Sequence, residues 1–312
     1  MAVGTVVVFG GSGFIGRYAV RRLAADGWRV IVAVRRPGKA AFLQTAGDVG
    51  QIVAVATDIA DGRQVSERIA GADAVVNLVG ILHEGGQRTF ARLHVESAGD
   101  IARAAAAAGV RAMVHVSAIG ASDRAPSAYA RSKASGETAV KAAMPHAVIL
   151  RPGIVFGPED GFFNLFGRLA ARSPVIPLFG GGATLFQPVY VDDVAAAIVA
   201  ALGDVGARGR TFELGGPQVS TFRHFMEFIR RETRRRVVLL PLPFAAARLM
   251  GRFLEHLPQP PLTYDQALLL ESDNVVAPDA ATLKDLGIEA TAPELVVPSY
   301  LALYRRGGSA PE

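Results

Sequence analysis

The stretch Val6-Val7-Val8-Phe9-Gly10-Gly11-Ser12-Gly13-Phe14-Ile15-Gly16-Arg17 constrains the fold more than any other part of the sequence. Four apolar residues in a row, three of them β-branched, read as a strand buried on both faces. Gly10, Gly13 and Gly16 follow at G-x-x-G-x-x-G spacing, and a helix-forming run continues to Asp26. In such a turn the first glycine permits a sharp reversal, the second admits a diphosphate to the backbone, and the third lets helix and strand pack closely. Phe14, Ile15 and Arg17 then open a helix whose free N–H groups and positive dipole end face the phosphates. Set before a continuing β-α-β alternation, the pattern predicts a dinucleotide site and not an ordinary strand-to-helix turn.

Of 312 residues, 50% are hydrophobic and 20% charged, which describes a folded chain with one large domain and a smaller one. There is no cysteine, so disulfide and thiolate chemistry are excluded and a reducing compartment is compatible. A net charge of +5, carried mostly by arginine, permits an anionic cofactor, an acidic partner or an anionic membrane surface and selects none of them. The first residues lead straight into a strand, so no signal peptide is expected, and no apolar run reaches the ~18 residues of a spanning helix. Basic residues are not interleaved with aromatics on a repeated module, so nucleic acid is not an expected partner. Asp192 or Asp193 is expected to cap a helix, not to bind metal, because no His or further carboxylate is spaced to join them.

Arg29–Val34 reads as the second strand. At its end a Rossmann-type NAD site carries an Asp or Glu for the ribose hydroxyls. Here the chain runs Val34-Arg35-Arg36-Pro37-Gly38-Lys39, with three cations and no acid. A carboxylate repels a 2′-phosphate and a guanidinium binds it in a fork, so NADP(H) is expected over NAD(H), with Arg35, Arg36 and Arg17 around that phosphate. Residues 52–55 read as the third strand; Asp58, followed by Ile59, then either caps the next helix or accepts from the adenine amino group. Residues 74–78 read as the fourth strand, and Asn77, Val79 and Gly80 would lie beside the cofactor of a doubly wound sheet. His83 and Glu84 are expected in solvent. An Ala-rich helix over 89–108 is expected to end at Gly109, with His94 inside it as a packed or half-exposed side chain. Ala112–Val116 reads as the fifth strand and ends at Ser117; 147–151 is the sixth, and Thr211–Leu214 a late strand of the same sheet.

A helix pattern carries Tyr129-Ala130-Arg131-Ser132-Lys133. Tyr and Lys at i and i+4 share a face, and a neighbouring ammonium lowers a phenol's pKa toward use in proton transfer. With this pair, Val8–Gly16 and Leu150-Arg151-Pro152-Gly153-Ile154-Val155-Phe156-Gly157-Pro158, the chain resembles the extended short-chain dehydrogenase/reductase (SDR) superfamily. The resemblance implies that Tyr129 is the acid/base, that Lys133 holds the nicotinamide ribose and tunes the tyrosine, and that Pro152 and Ile154 lie beside the nicotinamide. Within the superfamily, residues 10–17, 33–37 and 77–82 and Phe186-Gln187-Pro188-Val189-Tyr190-Val191-Asp192-Asp193-Val194 resemble the nucleotide-binding accessory subunits of respiratory complex I and their bacterial relatives, over nearly the whole chain. That branch implies complex I subunits as partners and a cytoplasmic location, peripheral on the inner membrane. One position departs from the superfamily. A Ser or Thr near the end of strand five usually holds the substrate oxygen; the matching positions here are Ala118 or Ile119, and Ser117 or Ser122 substitutes only if the loop turns one inward. Without that donor, Tyr129 and Lys133 serve as a cofactor-binding pair and hydride transfer is poor.

The expected fold is α/β: a Rossmann doubly wound parallel sheet over 1–160 and 187–214, and a smaller, mostly helical substrate or docking domain over 161–186 and 215–312, with a substrate cleft between them. Residues 161–173 read as a helix, 174–182 as a Pro/Gly-rich loop, and 188–202 as a return to the sheet. Ser220 is expected to cap a helix bearing Phe222, Phe225, Met226 and Ile229, with Arg230, Arg231, Arg234, Arg235 and Arg236 crowding its end. In 243–257, Leu249, Met250, Phe253, Leu254 and Leu257 share one face, and Arg248, Arg252 and Glu255 the other. Both helices either cover their own core or offer 220–257 as a basic amphipathic surface to a membrane or a larger partner. Residues 258–261 read as a stiff connector, 283–288 and 293–304 as a last helix pair, and 307–312 as a fraying end. Two functions fit: a nucleotide-binding accessory subunit, or an active NADP-dependent reductase, dehydrogenase or epimerase acting on a quinone-related or other lipophilic carbonyl or hydroxyl compound.

Overall fold

The computed structural model describes residues 3–258 and 260–307; the middle of the expected connector, at 259, and the end expected to fray, beyond 307, lie outside them. In chain order the elements are β1 (Thr5–Phe9), α1 (Phe14–Ala25), β2 (Arg29–Val34), β3 (Ile52–Ala56), α2 (Gly62–Ile69), β4 (Ala74–Asn77), α3 (Ser97–Ala107), β5 (Ala112–Val116), α4 (Ala128–Ala143) and β6 (Val148–Pro152). There follow β7 (Val155–Phe156), α5 (Phe163–Arg172), β8 (Val175–Phe179), β9 (Leu185–Phe186), β10 (Val189–Tyr190), α6 (Val191–Gly203) and β11 (Thr211–Leu214). The last are β12 (Ser220–Thr221), α7 (Phe222–Thr233), β13 (Val238–Leu242), α8 (Phe244–Leu254), α9 (Tyr264–Leu269) and α10 (Pro293–Leu301). A π-helical stretch, Ala91–Glu96, leads into α3, so the helix expected over 89–108 starts with widened turns.

Seven parallel strands form one sheet in the order β11-β6-β5-β4-β1-β2-β3. Val6, Val7, Val8 and Phe9 are fully buried at its centre, as a strand covered on both faces requires. The chain winds outward from β1 in one direction and then, from β4, in the other. The strand order therefore reverses between β1 and β4, the place where such sheets open a crevice for ligands.

The chain divides into two compact units, one of 1–152, 191–214 and 278–289, the other of 153–190, 215–277 and 290–312. The expected domains instead placed 153–160 and 187–190 with the sheet, and 278–289 with the small domain. The late return has a backbone cause: Ala281 bridges Phe212, and its carbonyl accepts from the Glu213 N–H at 2.8 Å, along the outer side of β11.

In the second unit, 175–179 is a strand and not a loop: β8 pairs in parallel with β13 over five residues and buries Ile176, Leu178 and Phe179. Pro177 is tolerated because a two-stranded sheet has an open side on each strand. Residues 189–190 do not return to the seven-stranded sheet; β10 pairs with β7. Thr221, not Ser220, caps α7, accepting from the His224 N–H at 3.1 Å, while Ser220 pairs with Phe186 in the short β9–β12 ladder. The expected helix over 283–288 is only a 3-10 turn, Lys284–Leu286. In the first unit, Asp192 and Asp193 sit in the first turn of α6, and both Asp192 oxygens accept from Arg22 at 2.7 Å.

The two amphipathic helices of the second unit separate. α7 buries Phe222, Phe225, Met226, Phe228 and Ile229 in an aromatic core with Phe156, Phe163 and Tyr300. α8 buries Ala247 and Gly251 instead, with a Cβ at Gly251 landing 2.6 Å from the Thr263 carbonyl. Phe244 packs half-buried beside Ala247, but three of the helix's large apolar residues point outward: Leu249, Met250 and Phe253 are 59%, 39% and 72% exposed. Among the described residues no helix is long and apolar enough to cross a membrane.

Candidate nucleotide site

The glycine turn is pressed onto the end of β4. Gly10 takes φ +80°, and a Cβ there would sit 3.1 Å from the Leu78 carbonyl carbon. The Gly13 N–H closes the turn on the Gly10 carbonyl at 3.0 Å. At Gly16 a Cβ would collide with the Gly10 carbonyl, so only glycine lets α1 come this close. α1 begins with Gly13 at its N-cap, no side-chain cap and no acid in its first turn. Its opening N–H groups are thus left to an external acceptor, and the local field is positive. Phe14 and Ile15, in that first turn, are half-buried.

At the end of β2, Arg35 and Arg36 are exposed. Arg17 lies 5.2 Å from the Phe42 ring centroid, which ties it to the 3-10 segment Pro37–Ala46 that follows them. Asp58 does not cap α2. Asp61 does so, accepting from the Arg63 and Gln64 N–H groups, because the helix begins four residues beyond Asp58. The Asp58 carboxylate is exposed and accepts from the Ala60 N–H at 3.0 Å, while Ile59 packs half-buried on the core.

Asn77 is buried at the end of β4, and its Oδ1 accepts from the Val79 N–H at 3.1 Å, shaping the turn that carries Gly80. Its amide Nδ2 lies 3.1 Å from His115 Nδ1. An amide N–H only donates, so Nδ1 accepts and the ring proton of His115 sits on Nε2. That Nε2 is buried with no hydrogen-bond partner among the described residues. Burial first, then the nearby charge of Lys133, hold His115 well below the usual imidazole range.

Tyr129 and Lys133 share one face of α4, whose start is capped by Ser127 Oγ accepting from the Ala130 N–H. The expected lowering of the tyrosine is not found: burial pushes the phenol up to about 12. The reason lies in where the ammonium goes. Lys133 is buried and donates to the Val116 carbonyl of β5 at 2.8 Å; burial draws it down to about 8, with Glu137 opposing. Beyond β5, Ala118 and Ile119 offer no hydroxyl. Ser122 does not turn inward; it is exposed and its Oγ accepts from the Arg124 N–H. Ser117 is buried, and its Oγ has no partner among the described residues. Pro152 closes β6. Ile154 belongs to the second unit, where its N–H donates to Asn274 Oδ1 at 3.0 Å.

Arg151, given no role of its own above, and two residues that motif reading passed over, Glu137 and Glu213, hold α4 in place. Arg151 forks onto Glu137 at 2.8 and 2.7 Å and reaches Glu213 at 3.3 Å, joining α4 to β6 and β11. These hydrogen bonds, led by Glu137, raise the already high pKa of Arg151. The one signal in the sequence was Glu137 itself, a helix turn past Lys133. His94, expected as a packed or half-exposed side chain, is the other omission: it is buried and bonded through both ring nitrogens.

A profile of the NAD dependent epimerase/dehydratase family matches residues 6–215. The chain belongs to that family. This assignment to the extended SDR group agrees with the sheet order, the glycine turn and the Tyr129–Lys133 pair. The epimerase/dehydratase-family chain is 38% identical over 313 residues to the NADH dehydrogenase [ubiquinone] 1 alpha subcomplex subunit 9 of Arabidopsis thaliana mitochondria, covering 96% of this chain and 78% of that protein. It is 37% identical over 199 residues to the ceramide reductase of Caulobacter vibrioides, covering 64% of this chain and 61% of that one. In fold alone it matches the Citrobacter sp. triphenylmethane reductase solved with NADP(H), at TM-score 0.74 and 19% identity over 95% of this chain and 99% of that one. An NAD(P)-type nucleotide fits the residues present: a turn that a Cβ would fill, an uncapped helix start, and a buried hydroxyl left over at Ser117.

Proposed function

We propose that this chain is an NADP(H)-binding accessory or assembly subunit of respiratory complex I, with weak or no hydride transfer of its own. The observation that carries the reading is an intact Tyr129–Lys133 pair in a chain with Ala118 and Ile119, and no hydroxyl, at those positions after β5, with the Lys133 ammonium committed to a backbone carbonyl. The near full-length likeness to a complex I subunit of Arabidopsis thaliana supports the assembly.

The glycine turn and the start of α1 hold the diphosphate. Arg35, Arg36 and Arg17 take the 2′-phosphate, Asp58 and Ile59 flank the adenine, and Asn77, Val79 and Gly80 line the crevice. Tyr129 and Lys133 hold the nicotinamide ribose, with Pro152 beyond. When bound, the nucleotide supplies a hydride donor or acceptor; the phenol, at about 12, stays protonated and acts as a hydrogen-bond donor. The docking surface is the outward face of α8 together with Arg230, Arg234 and Arg236 at the end of α7, which suits an anionic, partly apolar surface at the cytoplasmic side of the inner membrane.

The test is the nucleotide that survives purification, identified by mass and fluorescence, followed by native gels of cells carrying Tyr129→Phe. Retained NADP(H), co-migration with complex I and an unimpaired Tyr129→Phe strain are expected. A protein that never meets the respiratory complexes yet oxidises NADPH with a lipophilic carbonyl compound would instead be a reductase. That second reading is favoured by the likeness to a ceramide reductase.

A further inference from the structure

We infer that His94 is a positioning residue: it clips the turn after β4 to the helix bearing Tyr129 and so shapes the nicotinamide half of the nucleotide site. The inference rests on the NADP(H) reading above. The Ile81 N–H donates to His94 Nε2 at 3.0 Å, which places the ring proton on Nδ1. Nδ1 lies 2.8 Å from Ser132 Oγ, and the Ser132 hydroxyl donates to the Tyr129 carbonyl at 2.7 Å. Donation therefore runs one way, from the backbone at 81 through the imidazole and the serine to the backbone at 129. No member can reverse, because both ends are main-chain groups of fixed role.

Packing fixes the ring in the same place. His94 stacks on Phe90 at 5.2 Å and 23°, and meets the Tyr129 ring edge-on at 5.5 Å and 85°. The π-helical turns at Ala91–Glu96 carry it there; such turns break the regular register of a helix and recur at functional sites. On the far side, a Cβ at Gly136 would run into the His94 carbonyl, so α4 sits directly on this stretch. Burial, and then the charge of Lys133, hold the imidazole down to about 3. The clip is thus neutral throughout the physiological range. Its one ring proton is committed to Ser132 and its other nitrogen to the Ile81 N–H, which separates positioning from acid/base work.

Without the clip, the turn carrying Val79 and Gly80 and the helix carrying Tyr129 lose their common register. The adenosine half, built on the ends of β2 and β3, does not depend on it. Binding of NADPH and of adenosine 2′,5′-bisphosphate, measured by titration calorimetry on the whole protein, separates the two halves. His94→Ala is expected to weaken NADPH by about tenfold or more, to leave the bisphosphate within about twofold, and to move the emission of bound NADPH toward that of the free nucleotide. His94→Gln, whose amide offers both an acceptor and a donor, is expected to restore NADPH binding. If His94→Ala does not fold, Ser132→Ala removes the acceptor of the Nδ1 proton and is expected to give the same split. Equal loss of both ligands, or no loss of either, overturns the inference. A wild-type protein that binds neither ligand overturns the NADP(H) reading itself.

Discussion

An imidazole buried without a carboxylate has to stay neutral, and His94 and His115 are both in that position. In the unfolded chain each titrates near the ordinary value of about 6.5. Their folded pKa values are depressed, so their contribution is whole above that value and lost as pH falls toward the folded pKa. For His94, held down to about 3, the cost is about 1.4 kcal/mol per pH unit below 6.5, or about 2 kcal/mol at pH 5, and His115 acts in the same direction. The urea midpoint is expected to fall between pH 6.5 and 4, and His115→Gln is expected to flatten that slope. At the other end of the crevice, Arg35→Asp is expected to weaken NADPH at least about tenfold and NADH far less, by fluorescence titration; equal losses would remove Arg35 from the 2′-phosphate. The Tyr129–Lys133 pair was legible from its spacing taken with its place after the fifth strand. The direction of its tuning was not, since spacing carries neither the burial of the phenol nor the pull of the Val116 carbonyl on the ammonium. His94 was unreadable for a related reason: its partners, Ile81 and Ser132, lie 13 and 38 residues away.

Among the elements, α4 depends on a partly buried ion pair. Arg151 lies between Glu137 and Glu213, and removing one carboxylate charge leaves the guanidinium poorly matched. Glu137→Gln is expected to destabilise the first unit by about 3 kcal/mol, read as a shift in the denaturant midpoint at unchanged slope. α7 and α8 differ in where their apolar residues point. Both carry apolar residues at helical spacing, but α7 turns its stripe into an aromatic core, whereas α8 seats Ala247 and Gly251 against α9 and leaves Phe253 outside. Periodicity reports that a helix has an apolar side; it does not report whether the small or the large residues meet the protein's own core. Phe253→Ser is therefore expected to change unfolding by no more than about 0.5 kcal/mol while abolishing binding to anionic vesicles or to the respiratory complex, measured by co-sedimentation and native gels.

For the whole molecule, a ligand bound only by the folded state adds its binding energy to stability. NADPH at about one hundred times its dissociation constant is expected to add about 2.7 kcal/mol. In a thermal scan that raises the transition of the first unit by roughly 5–10 °C, with NADH giving less at equal concentration. The parallel, doubly wound character of the sheet was legible because most of its strands are followed by a helix of recognisable pattern, which forces parallel pairing. The return of 278–289 was not, since that stretch reads as a short helix of the small domain and joins β11 only by a bridge at Ala281.

That bridge bears on how the protein is made. Because the flank of β11 is completed only by residues 278–289, the nascent nucleotide-binding half stays unfinished on the ribosome while the whole intervening excursion is translated. Through that interval it presents an unsealed strand to other chains, the condition in which chaperones are most needed and premature termination most readily yields aggregates.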